Sequence, residues 1–284
     1  MIEIKHKKTG EVLETVDADS LVGADLREMR LREADLRGQD LTNADLELSD
    51  LVEADLGGAK LQNANLVGAH LNGANLRRAN LSRARMGSEN PSRAAMLARA
   101  DLTEANLEGA DLRRVEARRT DLQSANLNGA DMRGTDFHGS NMCYISARKA
   151  LFIKANLRET NLCAADLRDC HLNDANLVNA SMRDADLSSV HAHGFTVLNL
   201  ANLEGADLEG SNLRGVSAQD TNMRNANLRG VDFTGAVLGG AILRRADVTD
   251  ANFQGVELAS VTMEFANVSK ARNVALPTYK KNLR

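Results

Sequence analysis

Residues 24–80 read ADLRE MRLRE ADLRG QDLTN ADLEL SDLVE ADLGG AKLQN ANLVG AHLNG ANLRR AN, with a leucine at every fifth place, from Leu26, Leu31 and Leu36 to Leu66, Leu71 and Leu76. Alanine usually stands two places before each leucine, and Asp or Asn lies between them. A helix repeats its face about every 3.6 residues and a strand every 2, so neither element explains this rhythm. A fixed short self-similarity marks a repeat architecture in which each unit buries its apolar side only against its neighbours.

Working outward, the central position recurs without a slip from Leu21 to Met86. Gly87-Ser88-Glu89-Asn90-Pro91-Ser92-Arg93-Ala94 then interrupts it, and an Asn-Pro step among Gly and Ser is loop chemistry. The segment Glu89 to Ala94 is read as standing in for one repeat, one residue too long, so that the coil closes round a small bulge. A second run of centres goes from Leu97 through Leu187, Ala192 and Val197, a one-residue slip follows near 198–200, and a third run goes from Leu203 to Val268.

The expected layout has residues 1–18 as a cap, residues 19–270 as repeats with a loop at 87–94, and residues 271–284 as a C-terminal tail covering the last coil. Ile2 and Ile4 alternate with charge, a turn with Gly10 follows, and Val12 to Val16 alternates again, which is β-hairpin patterning. A repeat stack exposes a raw core and open strand edges at its first coil, and a hairpin covers them.

The 284 residues carry Lys+Arg 35 against Asp+Glu 39, a formal charge of -4, too balanced for a strong field toward nucleic acid or an anionic membrane. Aromatic content is 3% and Trp is absent, so the core must be aliphatic. Three cysteines with no metal-ligand spacing fit a reducing compartment, and MIEIKHKKTG has no signal-peptide apolar run, so the expected location is the cytoplasm. No run approaches the roughly 18 apolar residues that span a bilayer.

The A(D/N)LXX text, as in Ala34-Asp35-Leu36-Arg37-Gly38 and Ala201-Asn202-Leu203-Glu204-Gly205, resembles the pentapeptide repeat family over most of the chain. The resemblance implies an all-β fold, a right-handed quadrilateral β-helix with four repeats per coil. Central and minus-two residues then point inward and the other three outward. On that geometry the repeats make about 12 coils, and a coil spacing of about 4.8 Å makes a rod of roughly 60 Å. The Asp or Asn before each centre is expected to bond nearby backbone, and replacing Asp by Asn along a column relieves like-charge repulsion of roughly 1 kcal/mol.

Lining up outward residues at the 20-residue stagger singles out one irregular stretch. Leu151 and Ile153 flank Phe152 and are expected to face water, with Cys143, Tyr144, Arg148, Lys149 and Lys154 nearby in sequence. An apolar interruption of a polar surface reads as a docking patch for a protein partner. Glu89, Asn90 and Pro91 form a loop candidate. His171, His191 and His193 stack on this register and make a weak metal candidate, although no acidic or cysteine fourth ligand accompanies them. Cys143 and Cys163 are read as thiols, and Phe265 as packed by the tail or used in self-association.

No nucleophile–base pair, phosphate loop or zinc motif appears, so an enzyme is not expected and no cofactor is implied. The primary expectation is a non-catalytic interaction scaffold with an unidentified protein partner, either monomeric or an end-to-end homodimer, without direct nucleic-acid or membrane binding. The resemblance implies an alternative. Some family members mimic B-DNA, bind DNA gyrase and related type II topoisomerases, and protect against quinolone-type poisons. Such members are acidic rods, whereas Arg77, Arg78, Arg113, Arg114, Arg118 and Arg119 are scattered over the faces here.

Overall fold

The computed structural model describes residues 1–189 and 196–274. The chain divides into two compact units, Met1–Ile145 and Ser146–Arg284. Within each, the described residues form stacked four-cornered β-coils, and the 3-10 turn Pro91–Arg93 is the helical segment among them.

One repeat shows how the sequence makes a side and a corner. The Ala34 N–H donates to the Leu31 carbonyl at 3.1 Å, closing a turn whose third residue, Glu33, has φ 56°. Asp35 then bridges to Asp55 of the next coil, where the Leu36 N–H donates to the Asp55 carbonyl and the Asp55 N–H to the Ala34 carbonyl, both at 2.8 Å. Leu31, Ala34 and Leu36 are all buried. A positive φ at a non-glycine residue costs about 1 kcal/mol or more. Burying one leucine returns about 1.5–3 kcal/mol, so a repeat tolerates Glu, Arg or Asn at the corner, and glycine at positions such as Gly38 removes the strain.

The small inward position also takes polar residues, and each finds an acceptor in the backbone. Thr120 Oγ1 donates to the Leu97 carbonyl at 3.0 Å, Ser140 Oγ to the Ala117 carbonyl at 2.8 Å, and Ser211 Oγ to the Met182 carbonyl at 2.7 Å. In the second unit the buried Cys170 thiol donates to the Ala147 carbonyl at 2.7 Å, and burial pushes that thiol up. Phe233 and Phe253 stack in successive coils with centroids 5.1 Å apart.

In the first unit, β1 (Ile2–Lys5) and β2 (Val12–Val16) form an antiparallel hairpin. It joins the first coil through Lys7 N–H to the Glu33 carbonyl and Asp35 N–H to the Lys5 carbonyl, each 2.8 Å. Ile4 and Val16 bury their side chains.

The break at Pro91 differs from the expected one-residue bulge. His70 bridges to Met96, and Arg78 meets Glu104 26 residues on, where undisturbed coils repeat at 20. The extra residues therefore lie outside the four sides, and every side of that coil keeps its own repeat. The same step occurs in the second unit, where His171 bridges to Val197 and Asp186 is bonded by Asn212 26 residues on. Leu198, with Thr196 as its small partner, is the inward centre, and Val197 faces outward between coils. The expected centre at Val197 and the slip near 198–200 are thus replaced by an insertion that ends before Thr196. Ala192, His191 and His193 lie outside the described residues, as do residues 275–284 of the expected tail.

Both departures occur where a corner fails. Positive φ recurs at the corner after nearly every centre and is missing at Ser88 and Ser189, which precede the two breaks, and at Ser260.

Candidate interaction surface

The polar dressing of the bridging columns follows a rule that neutralises most of their carboxylates. Where Asn follows Asp in a column, its amide donates to the carboxylate, as Asn75 Nδ2 does to Asp55 Oδ1 at 2.7 Å and Asn227 Nδ2 to Asp207 Oδ1 at 2.8 Å. Where Asp stacks on Asp, an arginine bridges both in most cases, Asp101 on Asp121 being an exception. Arg113 forks onto Asp111 and lies 3.8 Å from Asp131, and Arg168 forks onto Asp166 and lies 3.6 Å from Asp186. Elsewhere an arginine reaches the Asp of the next coil, as in Arg118–Asp136 at 2.5 Å, Arg148–Asp166 at 2.6 Å and Arg214–Asp232 at 3.1 Å. The columns of Asp and Asn are structural, and like-charge contacts are relieved by amide or guanidinium.

Burial pushes the Asp166 carboxyl up, but its bonds from Arg168 and Arg148 outweigh this and hold it at about 2. The Arg27 fork likewise lowers Asp25 to about 2. A carboxylate depressed in the folded state contributes stability above its unfolded pKa of about 3.9, and that contribution is lost as pH falls through the folded value. The melting temperature is therefore expected to be flat from neutral pH to about 5 and to fall between about pH 4 and 2. Arg168→Gln should weaken that acid dependence, and thermal melts at stepped pH check it.

Loop residues Glu89, Asn90 and Pro91 are tied down. Asn90 caps the 3-10 turn by accepting the Ser92 N–H at 3.1 Å. Glu89 pairs with Arg113 and lies 3.7 Å from Arg114, while Arg93 reaches back to Glu47 at 2.7 Å. The loop lies along the face of Glu47, Val67 and Arg113 and buries Val67, Gly68 and Gly87.

The expected patch falls on both sides of the division between the units, so its members are described separately. In the first, Tyr144 stands at a corner with φ 60° and 62% exposure, and Cys143 is half-buried. In the second, Lys149 and Lys154 are exposed corner residues, and Arg148 is engaged by Asp166. Leu151 and Ile153 do not stand free in water: both are half-buried, and Leu151 bridges to His171. His171 in turn bridges to Val197, so Val197 takes the place the sequence register assigned to His191. Among the described residues no His, Cys, Asp and Glu cluster has the geometry to hold a metal ion. The three cysteines are thiols.

The corrected register reveals what sequence reading missed. The bridging column through Leu151, His171, Val197, Ser217 and Val237 carries no Asp or Asn, whereas the other three columns of the second unit are built mainly from them. Beside it lie Ile153, Asn173, Asn199, Gln219 and Gly239, also uncharged, and charge on this side is confined to the corner column, Lys154, Asp174, Leu200, Asp220 and Gly240. Val237 is 49% exposed, and Leu200, at a corner of this face with φ 62°, is 61% exposed. Asn199 Oδ1 accepts from Ser217 Oγ at 2.9 Å and the Gln219 N–H at 2.8 Å, which fixes the middle of the face. A six-residue stagger after Leu187 was the cue that would have aligned these residues. Phe265, at another corner, is 69% exposed with Arg244 over its ring at 5.7 Å.

No helix among the described residues is long and apolar enough to cross a membrane. The sequence profile described as Pentapeptide repeats matches the chain in eight copies, over residues 20–87, 100–191 and 197–272. A search of curated proteins found no match. Similar solved structures include HetL, a pentapeptide repeat protein involved in heterocyst differentiation regulation from the cyanobacterium Nostoc. It is 27% identical, with 83% of this chain and 91% of that chain covered and a TM-score of 0.35. Full-length QnrB1, a plasmid-mediated fluoroquinolone resistance protein, is 19% identical, with 82% and 94% covered and a TM-score of 0.37. A pentapeptide repeat protein of the Arabidopsis thaliana thylakoid lumen is 35% identical over 44% of this chain and 72% of that chain, with a TM-score of 0.17.

Proposed function

The chain belongs to the pentapeptide repeat family, and on that premise we propose that it is a non-catalytic scaffold whose second unit offers one face with uncharged bridging and central columns to a protein partner. The observation that supports this reading is the column Leu151, His171, Val197, Ser217 and Val237, with Leu200 at its edge. On the other faces paired charges hold water and disfavour docking, since stripping that water from an ion pair carries a desolvation cost. The bridging and central columns of this side have no such penalty, and apolar side chains held on a fixed backbone lose little entropy on docking.

A DNA-like role toward a type II topoisomerase draws less support. A surface imitating a phosphate backbone presents unneutralised anions, and here arginines cover many carboxylates of the bridging columns, as at Arg32–Asp50, Arg118–Asp136 and Arg214–Asp232.

The test is affinity capture with quantitative mass spectrometry, comparing wild type with Leu200→Asp/Val237→Asp, alongside a supercoiling assay with purified gyrase. Both substituted side chains are exposed, so the fold should survive. A partner lost at least tenfold by the double variant, with supercoiling unchanged at large molar excess, is the expected result. A partner retained undiminished removes the face from consideration, and inhibition or protection of gyrase favours the DNA-like role.

A further inference from the structure

The first unit carries a second pattern, unrelated to the uncharged face. On the side with centres Leu31, Leu51, Leu71, Leu97 and Ala117, the successive corner residues are Glu33, Glu53, Gly73, Arg99 and Arg119. They form one column: the N–H of Glu33, Glu53, Gly73 and Arg99 donates to the carbonyl of Val52, Asn72, Ala98 and Arg118 of the next coil, at 2.9 to 3.0 Å. Two acids, a glycine and two arginines thus follow one another at a coil spacing of about 4.8 Å.

This order is its own complement when reversed. A two-fold axis at the level of Gly73, running across the face, sets Glu53 of one copy against Arg99 of the other and Glu33 against Arg119, each pairing made twice. In the bridging column on the same side, Arg30, Asp50, His70, Met96 and Glu116, the axis complements the two ends and sets Asp50, already held by Arg32, against Met96. About His70 it brings Arg30 opposite Glu116. Between the columns, Val52, Asn72 and Ala98 are uncharged, so the middle of the face meets its copy without a buried charge. Arg32 and Arg118 come opposite one another, but each is already held by its own Asp50 or Asp136.

Local pairing does not use up these charges. Among the described residues, Arg30, Arg99 and Arg119 make no ion pair within the chain, and Glu53 and Glu116 make none. Glu33 faces His6 at 3.6 Å and Lys8 at 3.5 Å from the hairpin and still presents its column position. The Pro91 loop folds onto the neighbouring face, through Glu47 and Arg113, whereas the hairpin reaches the edge of this one, where Lys7 Nζ donates to the Glu53 backbone carbonyl and leaves the Glu53 carboxylate without an ion pair.

We propose that this face binds a second copy of the chain side by side and antiparallel, about a two-fold axis at Gly73. The occupant follows from charge order: a partner carrying only one sign would repel half of the column, whereas the reversed copy satisfies all of it. The footprint covers about five coil levels, which places it below roughly 1,200 Å² in total and in the weak, transient class. Exposed ion pairs supply the specificity, so assembly is controlled by ionic strength.

Sedimentation equilibrium of the full chain tests this. At about 1 mM protein and about 0.01 M salt, the weight-average mass should rise above 30.7 kDa toward twice that value, and return to the monomer at about 1 M salt. Arg99→Glu and Glu53→Arg should each abolish the rise, because each sets like charges together twice. An equimolar mixture of the two variants should restore it as a heterodimer. Both substitutions fall at exposed corners where the chain already carries Glu and Arg at similar positive φ, and circular dichroism of each variant checks the fold. A wild type that stays monomeric at both salts, an association unmoved by either variant, or a mixture that fails to recover would each overturn the proposal.

Discussion

Leu162→Asp is expected to lower the melting temperature by roughly 10 °C or more, the largest effect of any substitution considered. Leu162 is buried, and its N–H donates to the Ser181 carbonyl of the next coil at 2.6 Å. The substitution gives up about 1.5–3 kcal/mol of burial and places a carboxylate where the nearest small partner, Thr160, already donates to the Leu157 carbonyl. A buried unpaired charge adds several kcal/mol, so the sum exceeds the roughly 4 kcal/mol that marks exceptional point variants. Because each coil is stabilised by its neighbours, loss of one weakens those beside it. Leu162→Met, which conserves volume, should cost less than about 1.5 kcal/mol. Thermal melts by circular dichroism decide the matter: an Asp variant that melts with wild type would show the inward register to be wrong.

Gly87→Ala is expected to be the second most damaging change, at about 1–3 kcal/mol. Gly87 begins the Pro91 insertion, and an added Cβ would lie 2.2 Å from Asp111 Oδ1 and 2.4 Å from the Arg113 backbone nitrogen. The second of these atoms cannot swing aside. Arg113 also holds Asp111 through its fork and its N–H, and pairs with Glu89 of the loop, so displacement spreads into the arginine ladder. Gly57→Ala is the control: its nearest neighbours, at 3.2 Å, are side-chain atoms of Asn75 and Asp55, which can move. Equal melting temperatures for the two variants would contradict the close packing of the loop.

The repeat text made the inward pattern legible because every centre and its small partner answer to one steric requirement, repeated along the chain. Leu26 to Met86 could be placed by counting, and the structure buries each. The insertions were less legible. At Pro91 the text shows a loop, but counting could not say whether its residues replace a repeat or stand outside the coil. That depends on which backbone groups bridge, His70 to Met96 in this chain. After Leu187 the same uncertainty was hidden, because Val197 and Leu198 are both apolar and either fits a centre. Choosing Val197 turned every later stacking assignment across that break by one step, set His191 over His171, and dissolved the face that Val197 in fact completes. The antiparallel charge order of Glu33, Glu53, Arg99 and Arg119 was out of reach for the same reason, since it appears only when the Pro91 insertion is taken out of the stagger.

The register across the second insertion is therefore the most direct test of the account, and proximity of substituted cysteines measures it. In a background with Cys143, Cys163 and Cys170 replaced by serine or alanine, His171→Cys is paired either with Val197→Cys or with His191→Cys and treated with a short bifunctional thiol reagent. Efficient cross-linking is expected for the 171/197 pair, whose backbones bridge directly, and little for 171/191. Preferential cross-linking of 171/191 would contradict this register, and with it the uncharged face on which the proposed function rests.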